Sequence, residues 1–238
     1  MLIQLIRAAW RSRGFIVSSV RREFAARYGN SLLGSAWALI NPLAMVAVYM
    51  LVFSQVMRAR LPGETGTLAY GIFLCAGILS WGLFSEIIQR SMTVFLDHAN
   101  RLKKMNFPRI CLPLIVLLNA GLNFAIIYGL FLLLLLVTGN FPGAYLLATL
   151  PVLAILCVFA LGLGIVAGVL NVFFRDAGQF FSLLLQFWFW FTPIVYPLSI
   201  LPEAIRPFVL ANPLTPLLMS QQAIALGQGW PDWSALAA

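Results

Sequence analysis

Charged side chains are scarce in this sequence: 15 Lys and Arg and 7 Asp and Glu make up 9% of 238 residues. A water-soluble domain carries about 25% charged residues, so the shortage excludes a soluble globular domain. Several runs without charge are longer than the roughly 20 residues that a spanning helix needs, whereas barrel strands alternate over about 10 residues. A membrane β-barrel is therefore excluded too. We expect an all-α, polytopic membrane protein.

Histidine, cysteine and lysine are also rare. His98 is the single histidine, and since no carboxylate has a metal-ligand partner at helical spacing, we predict no metal site. The three cysteines lie inside apolar runs, so no disulfide framework is implied. Lys103 and Lys104 are the only lysines and neither follows glycine, so the phosphate-binding loop of ATPases is absent. No nucleophile stands beside a base, and we assign no catalytic residue and no cofactor.

Five apolar segments can each cross a bilayer core about 30 Å thick. Six basic residues precede the first segment, five lie between the second and third, and one lies between the fourth and fifth, against three on the other side. This excess places the N-terminus and loop 91–109 in the cytoplasm. Because topology explains the positive charge, we expect no nucleic-acid binding. The predicted spans are 33–57, 68–88, 110–138, 146–174 and 177–197.

The N-terminal segment 1–28 is predicted to be an amphipathic helix that lies in the cytoplasmic headgroup layer. At 100° per residue, Val17, Val20 and Phe24 share one face, and Arg22 lies on the opposite face. The alternative is an ordinary basic segment beside the first span.

The loop 91–109 is the longest cytoplasmic connection of the predicted topology. It mixes apolar residues with basic and amide side chains, and a short helix that presents both kinds to water should have a protein partner. A solvated loop is the alternative. The residues assigned to this contact are Phe95, Asn100, Arg101, Leu102, Lys103 and Lys104.

The charge-free stretches contain no ionisable side chain of the kind that ion-coupled transporters need near the midplane, which disfavours a secondary transporter. They contain amides and aromatics instead. Sugar rings stack on flat aromatic surfaces, and sugar hydroxyls exchange hydrogen bonds with amides. The alternative is that Trp and Tyr anchor the chain at the membrane interfaces. The residues assigned to a substrate channel are Tyr49, Phe53, Gln186, Trp188, Trp190 and Tyr196.

The region after the fifth span is rich in proline. Prolines divide it into segments 198–212 and 214–227, each too short to cross a bilayer core at about 1.5 Å per residue. We predict a re-entrant pair of helices over 198–228 that forms an extracytoplasmic gate. An inert outer loop is the alternative. The residues assigned to the gate are Pro202, Pro207 and Pro213.

Gly164 and Gly168 form a Gly-x-x-x-Gly pair in the fourth predicted span. Such a pair lets another helix approach closely. We expect it to pack within the subunit, with a dimer contact as the alternative.

Four stretches of the sequence resemble one family when taken together and in order. They are RREFAARYGNSLLGSAWALINPL from Arg21, NRLKKMNFPRICLPL from Asn100, FFRDAGQ from Phe173, and FTPIVYPLSILP followed by LANPLTPL. With them the chain resembles the membrane-spanning permease of type-2 ABC exporters for bacterial cell-surface polysaccharides, the O-antigen, capsule and teichoic-acid group.

The resemblance implies a homodimer that forms a continuous channel in the inner membrane for a lipid-linked polysaccharide. Two nucleotide-binding ABC ATPase subunits would join it and hold the ATP and Mg. Segment 100–104 matches the family's coupling helix, and the pieces after Tyr196 match its gate helices. The family usually has a sixth span, whereas this chain has five predicted spans up to Ala238. The residues that match the family's interfacial helix are Arg22, Glu23, Arg27 and Tyr28.

The hypotheses from the sequence therefore rank as follows. An exporter permease for lipid-linked O-antigen comes first, because the sequences NFPRICLPL and FTPIVYP look closest to that branch. A capsule or teichoic-acid exporter permease and an ABC-2 drug or lipid exporter are the alternatives. A membrane-embedded enzyme acting on lipid-linked sugars would need a carboxylate pair, and Glu86 has no evident partner in the sequence.

Overall fold

The computed structural model describes residues 12–28, 37–52, 61, 68–98 and 111–237. Every regular element within these ranges is helical, so the all-α prediction is confirmed for them. The helices α1 to α9 are Arg13–Tyr28, Trp37–Leu51, Ala69–Asp97, Cys111–Val137, Thr149–Phe173, Asp176–Trp190, Arg206–Leu210, Leu214–Ala225 and Trp233–Ala237, with 3₁₀ turns at Gly143–Ala148 and Leu198–Ile200.

Three helical segments among the described residues are long and apolar enough to cross a membrane: Ala69–Asp97, Cys111–Val137 and the continuous stretch Gly143–Phe173. The chain is therefore a multi-pass membrane protein. The helices of the last two agree with the predicted spans 110–138 and 146–174 to within a few residues. Their bounds were predictable because each coincides with a single uninterrupted apolar run.

Helix α3 is longer than the sequence predicted. We expected the span to end at residue 88 and a loop to begin at 91, but the helix continues to Asp97. The predicted span includes Glu86, and Arg90 is counted among the basic residues that follow it. These two residues form an i,i+4 pair on one helix face, and such a pair supports a helix. Apolar side chains within 91–97 remain buried, as Met92 and Val94 show.

Helix α6 is shorter than the predicted span 177–197. It ends at Trp190, and its 15 residues reach about 22 Å, less than a bilayer core. Pro193 follows within one turn and has no backbone N–H to continue the helix; instead, turns occupy residues 191–196. Helix α2 also has 15 residues, and positions 33–36 and 53–57 of the first predicted span lie outside the described residues.

The proline-rich region forms one helix of the two that we predicted. Helix α8 agrees with the predicted segment 214–227. The segment 198–212 is not one helix, because only a 3₁₀ turn and the five-residue α7 form there. Pro202 separates these two pieces, since a proline removes a donor and clashes with the preceding turn.

The first of two compact units comprises Met1–Ala38, Leu83–Ala125 and Cys157–Leu183. Within its described part, Ile16 and Val20 of α1 pack on Cys111 and Ile115 of α4. The predicted apolar face of α1 is therefore confirmed at Val20, which is buried, and wrong at Val17, which is 63% exposed. The stripe that packs on α4 contains Ile16 and Val20, which are four residues apart.

Within the first unit, the parts of α3 and α5 that belong to it approach closely at two glycines. A Cβ atom on Gly164 would lie 2.7 Å from Ser91 Cβ, and one on Gly168 would collide with the backbone oxygen of Ser91. Only glycine allows this approach. The prediction that the Gly-x-x-x-Gly pair packs within the subunit is confirmed.

The second unit comprises Leu39–Gly82, Ile126–Leu156 and Leu184–Ala238. In its described part, the Tyr70 hydroxyl donates to the Val195 carbonyl at 2.6 Å. Asp232 caps α9: its Oδ1 accepts from Ser234 Oγ at 2.6 Å and from Ser234 N at 3.0 Å. These hydrogen bonds hold the pKa of the Asp232 carboxyl below its usual value.

Candidate functional site

Five polar side chains from three helices of the first unit form one cluster, which we call the Glu23–Arg90 cluster. Asn119 Nδ2 donates to Glu23 Oε2 at 2.7 Å, and Asn123 Nδ2 donates to Glu86 Oε2 at 2.9 Å. Arg90 lies between the two carboxylates, with Nη1 3.7 Å from Glu23 Oε2 and Nε 3.8 Å from Glu86 Oε1. The cluster thus joins α1, α3 and α4.

Sequence spacing explains how each helix contributes its part. Glu86 and Arg90 are four residues apart on α3, and Asn119 and Asn123 are four residues apart on α4, so each pair lies on one helix face. Asn119 is only 6% exposed, and a buried polar group is costly unless it is hydrogen-bonded. Glu86, for which the sequence shows no carboxylate partner, contacts Arg90 and Asn123, and Arg90 separately contacts the carboxylate of Glu23.

A cavity of about 460 Å³ adjoins this cluster. Within it, Arg22 Nη2 donates to Ser19 Oγ at 3.2 Å. His98 Nδ1 lies 3.1 Å from the Val94 carbonyl. The lining carries charges of both signs, which suits a polar protein segment better than an apolar ligand. The described lining residues are Ser19, Arg22, Glu23, Arg90, Thr93, Val94, Asp97 and His98.

Asn171 makes a second polar connection in the first unit. Its Nδ2 donates to the Met92 carbonyl at 2.8 Å, and its Oδ1 accepts from Gly178 N at 3.1 Å. It therefore ties the C-terminal part of α3 to the end of α5 and the start of α6. The sequence analysis missed Asn171, whose nearest signal was the adjacent FFRDAGQ stretch that contains Gly178.

Asn212 organises the region between α6 and α8 in the second unit. Its Oδ1 accepts from Trp188 Nε1 at 2.9 Å and from Leu214 N at 3.1 Å, and its Nδ2 donates to Thr192 Oγ1 at 2.9 Å. The indole N–H of Trp188 is therefore engaged by the protein itself. Sequence reasoning missed Asn212, although the LANPLTPL stretch contains it.

Two glutamines of α8 are buried in the second unit. Gln221 Nε2 donates to the Thr149 carbonyl at 3.3 Å, and Gln222 Nε2 donates to the Pro193 carbonyl at 3.1 Å. A Cβ on Gly77 would lie 2.7 Å from Gln222 Nε2. These contacts fix α8 between the turn after α6 and the helix that carries Gly77.

The other residues assigned to a channel lie in varied surroundings. Gln186 is exposed, Trp190 is 61% exposed, and Tyr49 is half-buried. The Tyr196 hydroxyl donates to the Trp190 carbonyl at 2.7 Å. Phe53 lies outside the described residues. A channel role for these side chains stays a prediction.

The residues assigned to the gate lie at the ends of short helices. Pro202 and Pro207 are exposed on either side of the start of α7, and Pro213 is the residue that precedes α8. They end and begin helices as expected of proline. Their function as a gate stays a prediction.

The residues assigned to the partner contact and to the interfacial helix are only partly described. Phe95 belongs to α3 and packs on the cluster of Val94, Leu112 and Val116, so it is a packing residue and not a loop residue. Of the interfacial set, Arg22 and Glu23 line the polar cavity described above. The assigned residues that lie outside the described part are Asn100, Arg101, Leu102, Lys103 and Lys104 and the side chains of Arg27 and Tyr28.

Comparison with known proteins finds a matching family and several similar proteins. The ABC-2 type transporter family matches residues 15–225. The chain is 35% identical over 239 positions to the O-antigen export system permease protein RfbA of Myxococcus xanthus, over 100% of this chain and 90% of that protein. It is 32% identical over 206 positions to the protein of the same name from Klebsiella pneumoniae, over 86% and 77%. It is 24% identical over 212 positions to the polysialic acid transport protein KpsM of Escherichia coli, over 87% and 79%.

Proposed function

This chain belongs to the ABC-2 type transporter family, and on that premise we propose that it is the membrane-spanning subunit of an ATP-driven exporter of lipid-linked, O-antigen-type polysaccharide. The observation that carries the proposal is its 35% identity, over its whole length, to an O-antigen export permease. The proposed location is the bacterial inner membrane. Capsule export is the second candidate, because the polysialic acid transport protein is similar over 87% of this chain.

The proposed assembly contains two copies of this chain and two copies of an ABC ATPase. The ATPase subunits bind ATP and Mg and supply the hydrolysis, and this chain supplies the path and no catalytic residue. An enzyme acting on lipid-linked sugars is disfavoured by the surroundings of Glu86. That carboxylate is held by Arg90 and Asn123 and serves to join helices.

In this proposal, the Glu23–Arg90 cluster transmits movement between helices. The C-terminal end of α3 leads along the chain toward residues 100–104, the segment assigned to the ATPase contact. Arg90 lies on that part of α3 and contacts Glu23 of α1. A displacement of α3 by the ATPase would therefore displace α1 with it, through an ion pair backed by the hydrogen bond from Asn119.

The region around Asn212 would serve as the extracytoplasmic gate. Trp188, Thr192 and the start of α8 meet on one amide side chain. Neutral hydrogen bonds of this kind contribute about 1 kcal/mol each, so they can hold a closed position and still be exchanged for hydrogen bonds to sugar hydroxyls.

Gene deletion with complementation tests the function. In the source bacterium, removal of this gene should abolish surface polysaccharide while lipid-linked polymer accumulates inside, and a plasmid copy should restore export. Arg90→Gln should restore it poorly, and Arg175→Gln, which alters an exposed arginine outside the cluster, should restore it fully. Purification through a tag on this chain should recover a second, differently tagged copy and an ABC ATPase.

Other outcomes assign a different function. Loss of capsule with intact O-antigen would favour the capsule exporter. Unchanged polysaccharide together with altered drug resistance or outer-leaflet lipid would favour a drug or lipid exporter, and would overturn the proposal.

A further inference from the structure

An apolar groove lies on the opposite flank of α1 from the polar cavity. It encloses about 580 Å³, which is within the range of small-molecule sites, about 300–1,000 Å³. Helix α1 contributes one wall and α4 contributes the other, both within the first unit. The described lining residues are Val17, Val20, Arg21, Ala25, Leu118 and Leu122.

The groove is open where its apolar side chains are largest. Val17 is 63% exposed, and Leu118 and Leu122 are each 45% exposed. Leu118 and Leu122 are four residues apart and form a stripe on α4 beside the stripe of Asn119 and Asn123. The two stripes of α4 therefore differ in what they contact: the amides bind the carboxylates, and the leucines present an uncovered aliphatic surface.

Arg21 is the charged residue among the described lining residues of this groove. The acidic residues near α1, Glu23 and Asp97, line the polar cavity on the other flank instead. The groove thus offers an aliphatic channel with a cation and, among the described lining residues, no carboxylate. A long arginine stem can lie along such a surface while its guanidinium stays at the polar boundary.

We propose that this groove binds an anionic glycerophospholipid of the surrounding membrane, with an acyl chain on Val17, Leu118 and Leu122 and the phosphate on the Arg21 guanidinium. Charge complementarity selects this occupant, because a lipid with a net negative headgroup matches the Arg21 cation, which has aliphatic neighbours and no carboxylate among the described lining residues. An amphipathic helix in the interfacial layer likewise binds the membrane through buried apolar area and through attraction to anionic lipid headgroups. The bound lipid fills the space between α1 and α4, and its binding does not depend on which cargo the protein exports.

Photocrosslinking in vesicles tests the proposal. The full-length protein is reconstituted with phosphatidylglycerol or phosphatidylcholine that carries a photoreactive group on the acyl chain, and the labelled peptides are mapped by mass spectrometry. We expect labelling of residues 17–25 and 118–122, several-fold stronger with the anionic probe. Arg21→Gln should reduce the anionic probe to the level of the neutral one, and Arg175→Gln should change nothing.

A groove-filling variant separates lipid binding from general membrane contact. Leu122→Trp should abolish labelling of the groove by both probes and leave labelling elsewhere unchanged. If this variant does not fold, the ratio of anionic-probe to neutral-probe labelling on the unsubstituted protein still tests whether the groove prefers an anionic lipid. Equal labelling by both headgroups, or labelling that ignores Arg21→Gln, would overturn the proposal. Displacement of the probe by an equimolar polyprenyl phosphate would also overturn it, in favour of the carrier lipid as occupant.

Discussion

Asn119 Nδ2 lies 2.7 Å from Glu23 Oε2, so that a buried amide of α4 donates to a carboxylate of the N-terminal helix 96 residues earlier. Arg90 approaches the same carboxylate oxygen at 3.7 Å. Helix α1 is therefore attached to the helices of its unit by directional polar contacts as well as by the apolar packing of Ile16 and Val20.

Asn119→Leu should loosen α1 without unfolding the protein. A hydrogen bond to a charged group contributes about 1.5–3 kcal/mol, and we expect about 1 kcal/mol here because the Glu23 side chain is 37% exposed. Hydrogen–deuterium exchange of residues 13–28 should accelerate roughly fivefold. Glu23→Gln is the control, because its amide oxygen still accepts the bond. Unchanged exchange in Asn119→Leu together with acceleration in Glu23→Gln would show that charge, and not the hydrogen bond, holds the helix.

Arg90→Gln should lower the stability of the protein by more than the ion pair contributes, because it leaves the Glu86 carboxylate without its cation. The Glu86 side chain is 19% exposed, and we expect about 1–2 kcal/mol of lost stability. Adding Glu86→Gln should recover part of this loss, since Gln can still accept from Asn123. Apparent melting temperatures of the four proteins in detergent, arranged as a double-mutant cycle, measure the coupling. Strict additivity of the two substitutions would contradict the ion pair.

The three glycines of LGLGIVAG should respond differently to alanine. Gly162→Ala meets nothing within 4 Å and should be neutral or stabilising by up to about 1 kcal/mol, since alanine favours a helix. Gly164→Ala and Gly168→Ala should each cost about 1–3 kcal/mol through overpacking, which detergent melting temperatures can detect.

Ser91→Gly provides the control for the two tight positions. The side chain of Ser91 is what a Cβ on Gly164 would meet, whereas a Cβ on Gly168 would meet the Ser91 backbone oxygen. Ser91→Gly should therefore rescue Gly164→Ala and leave Gly168→Ala unrescued. Rescue of both would show that the helices separate easily at this crossing.

The local pattern of apolar and charged residues predicted the long helices. It did not predict the contacts between residues that are distant in the sequence. The bounds of α4 and α5 follow from uninterrupted apolar runs. The extension of α3 was missed because Arg90 was counted with the basic residues of the following loop, and its i,i+4 pairing with Glu86 was not considered. Asn171 and Asn212 could not be found from their neighbours, since their partners Met92 and Trp188 lie 79 and 24 residues away. The link between Glu23 and Asn119 was missed for the same reason, since these residues are 96 positions apart.

Asn212→Leu should weaken the region between α6 and α8 more than Trp188→Phe does. Trp188→Phe removes one donor and keeps most of the ring, so we expect about 1 kcal/mol. Asn212→Leu removes the acceptor of the Trp188 N–H and the Leu214 N–H and the donor to the Thr192 hydroxyl, and the expected loss is about 2–3 kcal/mol. Hydrogen–deuterium exchange of residues 206–225, measured in the intact protein, should be faster in Trp188→Phe than in the unsubstituted protein and fastest in Asn212→Leu. Equal exchange in the two variants would mean that Asn212 acts only through Trp188.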